Sequence, residues 1–280
     1  NRWPGDETMK VKQKKFWAFI GGLSQPDKMP GWGFSIPAAR CKMGSVLAKV
    51  KGSVCFGCYA LTGAYIWAVV ANALERRFKK IEKACQDGQA VYRESFINAF
   101  SELLNAKLAT YKKRKAEGKP IRHHSNYFRW HDAGDLQSTS HLELIAEICR
   151  RTPGIKHWIP TREYSIVKRW LKAGNVIPPN LCIRLSGHYI NQDPVSVGFL
   201  IGAGCTISGV HTDHRFGSLM NRFSWMECPA YFTRRDGKKD KSLIGTAETG
   251  YCGTCRRCWN RGSLAISYPY HGSNDGKGDA

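Results

Sequence analysis

Asn126-Tyr127-Phe128-Arg129-Trp130-His131 is a short run rich in aromatic residues, followed by a polar loop and then by Thr139 to Arg151, where Leu142, Leu144, Ile145 and Ile148 recur at helical spacing. The pair repeats as Lys156 to Pro160 and Ser165 to Ala173. Strand-like and helical segments in alternation predict parallel strands with helical crossovers, and Ser138 or Ser140 is placed to cap the first helix. Leu181 to Leu185 and Gly204 to Val210 continue the series, with Pro153-Gly154 and Pro178-Pro179 as turns. Upstream, Gly31 to Pro37 alternates with period two and predicts a first strand. Tyr59 to Lys83 and Val91 to Lys115 predict two helices separated by Asp87-Gly88. After residue 211 the periodicity fades until a last strand at Leu264 to Tyr268. The expected architecture is α/β, a partial or full (β/α) barrel over residues 31–215. It is preceded by a basic arm over 1–30 and followed by a basic, cysteine-rich segment over 216–280.

In such folds ligands gather beyond the C-terminal ends of the strands. There the chain places His131-Asp132-Ala133-Gly134-Asp135-Leu136-Gln137, Thr161-Arg162-Glu163, Ser186-Gly187-His188 and His211-Thr212-Asp213. This ring of polar residues is a candidate active site, and the histidines within it receive no individual role.

Forty-three Lys and Arg against 22 Asp and Glu leave a formal charge of +21, far more than solubility requires and suited to a phosphate backbone. Nucleic acid, DNA in preference, is the expected partner. The candidate contacts are Lys12, Lys14 and Lys15, then Lys112, Lys113 and Arg114, then Arg234, Arg235, Lys238 and Lys239, with Arg256 and Arg257. Trp17, Tyr127, Trp130 and Trp158 are candidates for base stacking, although most such aromatics serve a core. No apolar run approaches the roughly 18 residues of a membrane span, and the N-terminus lacks a signal pattern. A cytoplasmic protein without membrane contact is expected.

In that compartment the 11 cysteines point to metal rather than disulfides. Cys85, Cys149, Cys182 and Cys205 are isolated and expected in the core. Cys41, Cys55 and Cys58 form C-x13-C-x2-C after the first strand. Three thiolates are one short of a closed zinc site, whereas a cubane cluster held by three keeps one iron open. A zinc site completed by a distant ligand is the alternative. Cys228, Cys252, Cys255 and Cys258 form C-x23-C-x2-C-x2-C. Those four suit an auxiliary cluster or, alternatively, zinc.

The first cysteine group resembles that of the radical S-adenosylmethionine superfamily, whose usual spacing is C-x3-C-x2-C; the last pair matches and the first gap is expanded. The segment Phe128 to Asp135 stands where that superfamily has its strand-end Gly-Gly-Glu. The resemblance implies a [4Fe-4S] cluster and an electron donor. It also implies S-adenosylmethionine bound through Gly134 and Asp135, with Arg184 and Ser186 toward its carboxylate and ribose. The reaction implied is radical modification of a nucleobase, for example rearrangement of an amino-acid adduct on thymine in phage DNA. The Ser35-Ile36-Pro37-Ala38 stretch before Cys41 and the Gly134-Asp135 strand end are similar to the phage family named for gene product 88, which implies a phage enzyme working in the host cytoplasm. A second resemblance joins His131 to Gln137 with the Asp-Ser-Gly-Gly-Phe-Gln segment of tRNA-guanine transglycosylases. It implies a zinc enzyme exchanging 7-deazaguanines with Asp132 or Asp135 as the acid, and leaves Cys41, Cys55 and Cys58 unexplained. A non-catalytic zinc module that binds nucleic acid is the third possibility.

Overall fold

The computed structural model describes residues 4–26, 29–212, 223–228, 252 and 255–270. Seven strands form one parallel sheet: β1 (Trp32–Phe34), β2 (Tyr127–Trp130), β3 (Lys156–Thr161), β4 (Leu181–Ile190), β5 (Thr206–His211), β6 (Trp225–Glu227) and β7 (Ala265–Pro269). Their order is β1-β2-β3-β4-β5-β7-β6. Every pairing is parallel, and the sheet ends at β1 on one side and β6 on the other. The fold is therefore α/β with an open sheet among the described residues.

The helices are α1 (Pro4–Ile20), α2 (Lys42–Leu47), α3 (Ala68–Cys85), α4 (Ala90–Ala116), α5 (Thr139–Arg150), α6 (Tyr164–Lys172) and α7 (Gly198–Gly202). Consecutive crossovers of one hand lay α4, α5, α6 and α7 side by side on one face. The strand residues that alternate toward them, Phe128, Trp130, Ile159, Ile183, Leu185 and Ile207, form the main core with Phe100, Leu104, Ile145 and Val167. The other face is small and different. Trp158 and Ile266 pack there with Cys258 and Trp259 of the C-terminal segment, flanked by Tyr127, Cys228 and Tyr268.

The first 30 residues are more than an arm. Over 4–20 the chain is a helix lying against α4, and Phe16, Trp17, Phe19, Ile20 and Leu23 join the main core. These apolar residues sit one helical turn after the Lys12 to Lys15 run, whose charge masks them in a sequence reading. The helix expected from Tyr59 begins only at Ala68, because 59–66 is spent on two 3-10 turns beyond the strand ends. Of the two capping candidates Ser138 is used, its hydroxyl accepting from the His141 amide at 3.1 Å. No described helix is long and apolar enough to cross a membrane.

Candidate functional site

The chain leaving β1 and the chain leaving β2 run on together, the His131 amide donating to the Phe34 carbonyl and Ile36 to Ala133. A 3-10 turn then ends at Cys41, which precedes α2. That helix is tied across the sheet: the Met43 amide donates to Glu163 Oε1 at 2.6 Å, a carboxylate from the end of β3 at a helix N-terminus. Residues 52–65 form a strap over the strand ends. At β4 the Val54 amide donates to the His188 carbonyl, and Ile190 to Gly52. At β2 the Tyr59 hydroxyl donates to the Asp132 carbonyl at 2.7 Å and Tyr65 to Asp132 Oδ2 at 3.1 Å.

Cys55 and Cys58 lie in the middle of this strap. Cys55 is buried, while Cys41 and Cys58 are partly exposed. A methyl group placed on Gly44 would lie 3.6 Å from the Cys41 sulfur and 3.7 Å from that of Cys55, so both flank α2 at that glycine. Burial first, then the Asp135 carboxylate and the neighbouring Cys55 and Cys58 sulfurs, push the Cys41 thiol up. Burial likewise raises Cys55, opposed by the Arg162 guanidinium. Cys41 and Cys55 thus share a largely desolvated environment with Cys58 close by, where a metal cation would favour thiolate. Among the described residues no group of three or more His, Cys, Asp or Glu side chains is arranged to hold a single metal ion.

Asp135 is 6% exposed. Its Oδ1 accepts from the Leu136 amide at 2.7 Å and the Thr161 hydroxyl at 2.6 Å, and its Oδ2 from the Arg162 amide at 2.8 Å. It therefore bridges the ends of β2 and β3. Burial pushes its carboxyl up to about 6 against the pull of those three bonds. Gly134 has φ +81°, and a Cβ there would fall 2.3 Å from Ile36 Cγ1 and 2.6 Å from its carbonyl oxygen. Its place is a close crossing of two loops, which only glycine permits. Asp132 Oδ1 is buried and unpartnered. His131 has φ 53°, and both its ring nitrogens are buried without a partner beside His141. Burial and the nearby Arg129 lower its pKa to about 3. A left-handed backbone and two unpartnered ring nitrogens single out His131 at this strand end.

Arg184 occupies a different place from the cofactor position implied above. It is fully buried on the face opposite the helices, and its guanidinium donates to the carbonyls of Ile207, Ser263, Leu264, Arg257 and Asn260. It fastens the C-terminal segment to the sheet. Ser186 is buried at the mouth beside Ser208 at 3.4 Å. The second cysteine group collects under that segment. The Cys258 sulfur meets the Tyr268 hydroxyl at 3.1 Å, the Cys228 amide donates to Ser267, and the Cys255 amide to Cys252. Burial, then the Cys258 sulfur, pushes Cys252 up to about 12. Cys149, Cys182 and Cys205 are buried and Cys85 is partly so.

The basic candidates are scattered. Lys12 pairs with Glu102 at 3.2 Å on the helical layer. Lys112, Lys113 and Arg114 end α4 just before β2 begins, at the opposite end of the sheet from the strap, and Arg114 donates to the Pro120 carbonyl. Lys14 and Lys15 are exposed on α1. Arg256 lies over the Tyr127 ring at 5.0 Å, and Arg257 is exposed. Arg234, Arg235, Lys238 and Lys239 lie outside the described residues. Trp130 and Trp158 are buried and cannot stack on bases. A surface cleft between α5 and α6, lined by Thr139, Glu143, Arg169 and Trp170, lies in the helical layer and away from the strand ends.

The family model described as Gene product 88 matches residues 1–261. The chain belongs to that family. No curated protein and no solved structure matches it. The match to Gene product 88 takes in both cysteine groups, the strap and all strands but β7.

Proposed function

We propose that this Gene product 88 protein is an iron–sulfur enzyme of the radical S-adenosylmethionine type that modifies a nucleobase, in DNA by preference. The observation that carries the proposal is the meeting of Cys41, Cys55 and Cys58 beyond the C-terminal ends of a parallel sheet, beside Asp135 and Arg162. Three thiols leave a fourth position free. When bound, such a cluster supplies the electron that opens the sulfonium of S-adenosylmethionine, given an electron donor.

The chain's own residues have simpler duties. Glu163 holds α2, and with it Cys41, against β3. Asp132 anchors the strap through Tyr59 and Tyr65 and presents an unsatisfied acceptor, Oδ1, to a substrate donor. Cys228, Cys252, Cys255 and Cys258 would hold the second metal group under the sheet, an auxiliary cluster or zinc.

Anaerobically purified protein is expected to be brown and to contain iron and sulfide, and Cys55→Ser with Cys58→Ser is expected to remove one cluster's worth of both. Colourless protein with stoichiometric zinc would contradict the proposal and favour the transglycosylase-like enzyme.

A further inference from the structure

Large apolar side chains crowd the strap and its two flanks. Val46, Phe56, Tyr59, Ile66, Trp67 and Val69 are all exposed, Trp67 to 65% and Phe56 to 37%. Phe56 stands between Cys55, which turns inward, and Cys58. Elsewhere in the described chain the exposed large apolar residues are sparser, most of them single as Val11, Val91 and Val176 are, the ordinary state of a protein surface. Such a concentration of exposed apolar side chains in one stretch of chain is the kind of surface that marks an interaction site.

The charge of the same stretch narrows the partner. From Arg40 to Leu74 the sequence contains four cations, Arg40, Lys42, Lys49 and Lys51, and no Asp or Glu. Arg40 pairs with Glu75 at 3.0 Å and Lys42 donates to the Gln137 carbonyl, so Lys49 and Lys51 are the cations left for phosphate beside the exposed rings. Aromatic faces next to lysines are the chemistry that takes unpaired nucleotides: phosphates meet the lysines and bases lie on the rings. A duplex hides its base faces and could use only the lysines. The surface is also rigid where it needs to be, since the Tyr59 and Tyr65 hydroxyls bond to Asp132 and their rings meet edge to face at 5.8 Å.

We infer that the strap of residues 52–65, with Trp67 at its edge, is the landing surface for a single-stranded segment of nucleic acid. Phe56 and Trp67 stack its bases above the strand-end site. A base flanking the stacked one then lies over the strand ends that carry Cys41 and Asp132. The inference rests on the proposed function for what happens to that base, but not for the binding.

The test is fluorescence anisotropy with labelled oligothymidylate and oligouridylate of about a dozen nucleotides, within the usual span of such sites. Phe56→Ala and Trp67→Ala are each expected to weaken the single strand about tenfold. Val91→Ala, at an exposed site on α4, is expected to change nothing, and Lys49→Gln with Lys51→Gln to flatten the salt dependence. A duplex of the same length is expected to be indifferent to Trp67→Ala. Unchanged single-strand affinity in both aromatic variants, with wild-type circular dichroism, overturns the inference. So does a wild-type dimer that Trp67→Ala dissociates without loss of oligonucleotide binding, which would make the patch a protein interface. Iron analysis of the same preparations separates the two claims. Iron-free protein that still loses affinity on Trp67→Ala sinks the enzyme proposal alone, and iron-loaded protein with unchanged affinity sinks the landing surface alone.

Discussion

The two cysteine groups are built from the same side chain in opposite surroundings. Cys41, Cys55 and Cys58 sit in a strap at the sheet's open end, beside strained His131, unsatisfied Asp132 Oδ1 and exposed aromatics. Cys228, Cys252, Cys255 and Cys258 sit under the sheet against Trp158, Trp259 and Ile266, held there by Arg184, whose guanidinium is engaged with backbone carbonyls. The first setting has exposed aromatics and partly exposed cysteines, and suits a ligand that comes and goes. The second spends a buried cation on fastening a segment in place, which suits a closed, structural site. The difference lies in the second layer of contacts and not in the cysteines themselves.

Replacing the fastener gives the largest expected effect. Arg184→Met leaves several carbonyls without a donor and should cost about 4 kcal/mol in chemical denaturation, while any iron bound by the protein through residues 41, 55 and 58, as proposed, should be unaffected. A cost below about 1 kcal/mol would show that the segment is held by other means.

Acid should release the same region without touching a cysteine. β3 carries Trp158, the floor of the second group, and on its other face His157, which accepts from Trp130 Nε1 at 3.3 Å and meets the Thr152 hydroxyl at 2.8 Å. Burial lowers the His157 pKa to about 3. The folded ring therefore stays neutral while the unfolded one gains a proton below about 6.5. Its contribution is complete above about pH 6.5 and is lost progressively as the pH falls toward 3, amounting to about 3 kcal/mol near pH 4.5. Urea midpoints followed against pH should show this decline in the wild type and a shallower one in His157→Gln. Equal slopes would remove His157 as the cause.

Asp135→Asn should have the smallest effect on stability. Asn offers one acceptor oxygen where the carboxylate serves three donors, so about 2 kcal/mol is expected, with loss of protection at the Arg162 amide in hydrogen exchange. A melting curve identical to wild type would mean that the bridge between β2 and β3 is incidental. The open site would then be less tightly built than the closed one is.

Much of this was legible in the sequence. Period-two and helical spacings placed β1 to β5, β7 and the helices α4 to α6 within a few residues, and α3 apart from its start, nine residues later than expected, because burial on one face of each element imposes its own period. What failed were places where a contact distant in sequence decides. Nothing near Arg184 shows that the carbonyls of residues 257–264 will close over it. Gly134 reads as part of a ligand loop, yet its φ and its clash with Ile36 make it a crossing point. The lysines before Phe16 hid a helix that packs on α4, and three-residue strands such as β6 are too short to show a period. Phe56 and Trp67 were overlooked because a sequence does not report exposure, although the absence of Asp and Glu from 40 to 74 was there to be read.

The central claim is that the open cysteine group carries a cluster with a free iron that S-adenosylmethionine occupies. Electron paramagnetic resonance of the dithionite-reduced protein, with and without S-adenosylmethionine, tests it most directly. The signal should change on addition in the wild type, and the responsive component should vanish in Cys55→Ser with Cys58→Ser while any signal from the second group stays. A wild-type signal indifferent to S-adenosylmethionine, or no cluster signal at all, would contradict it.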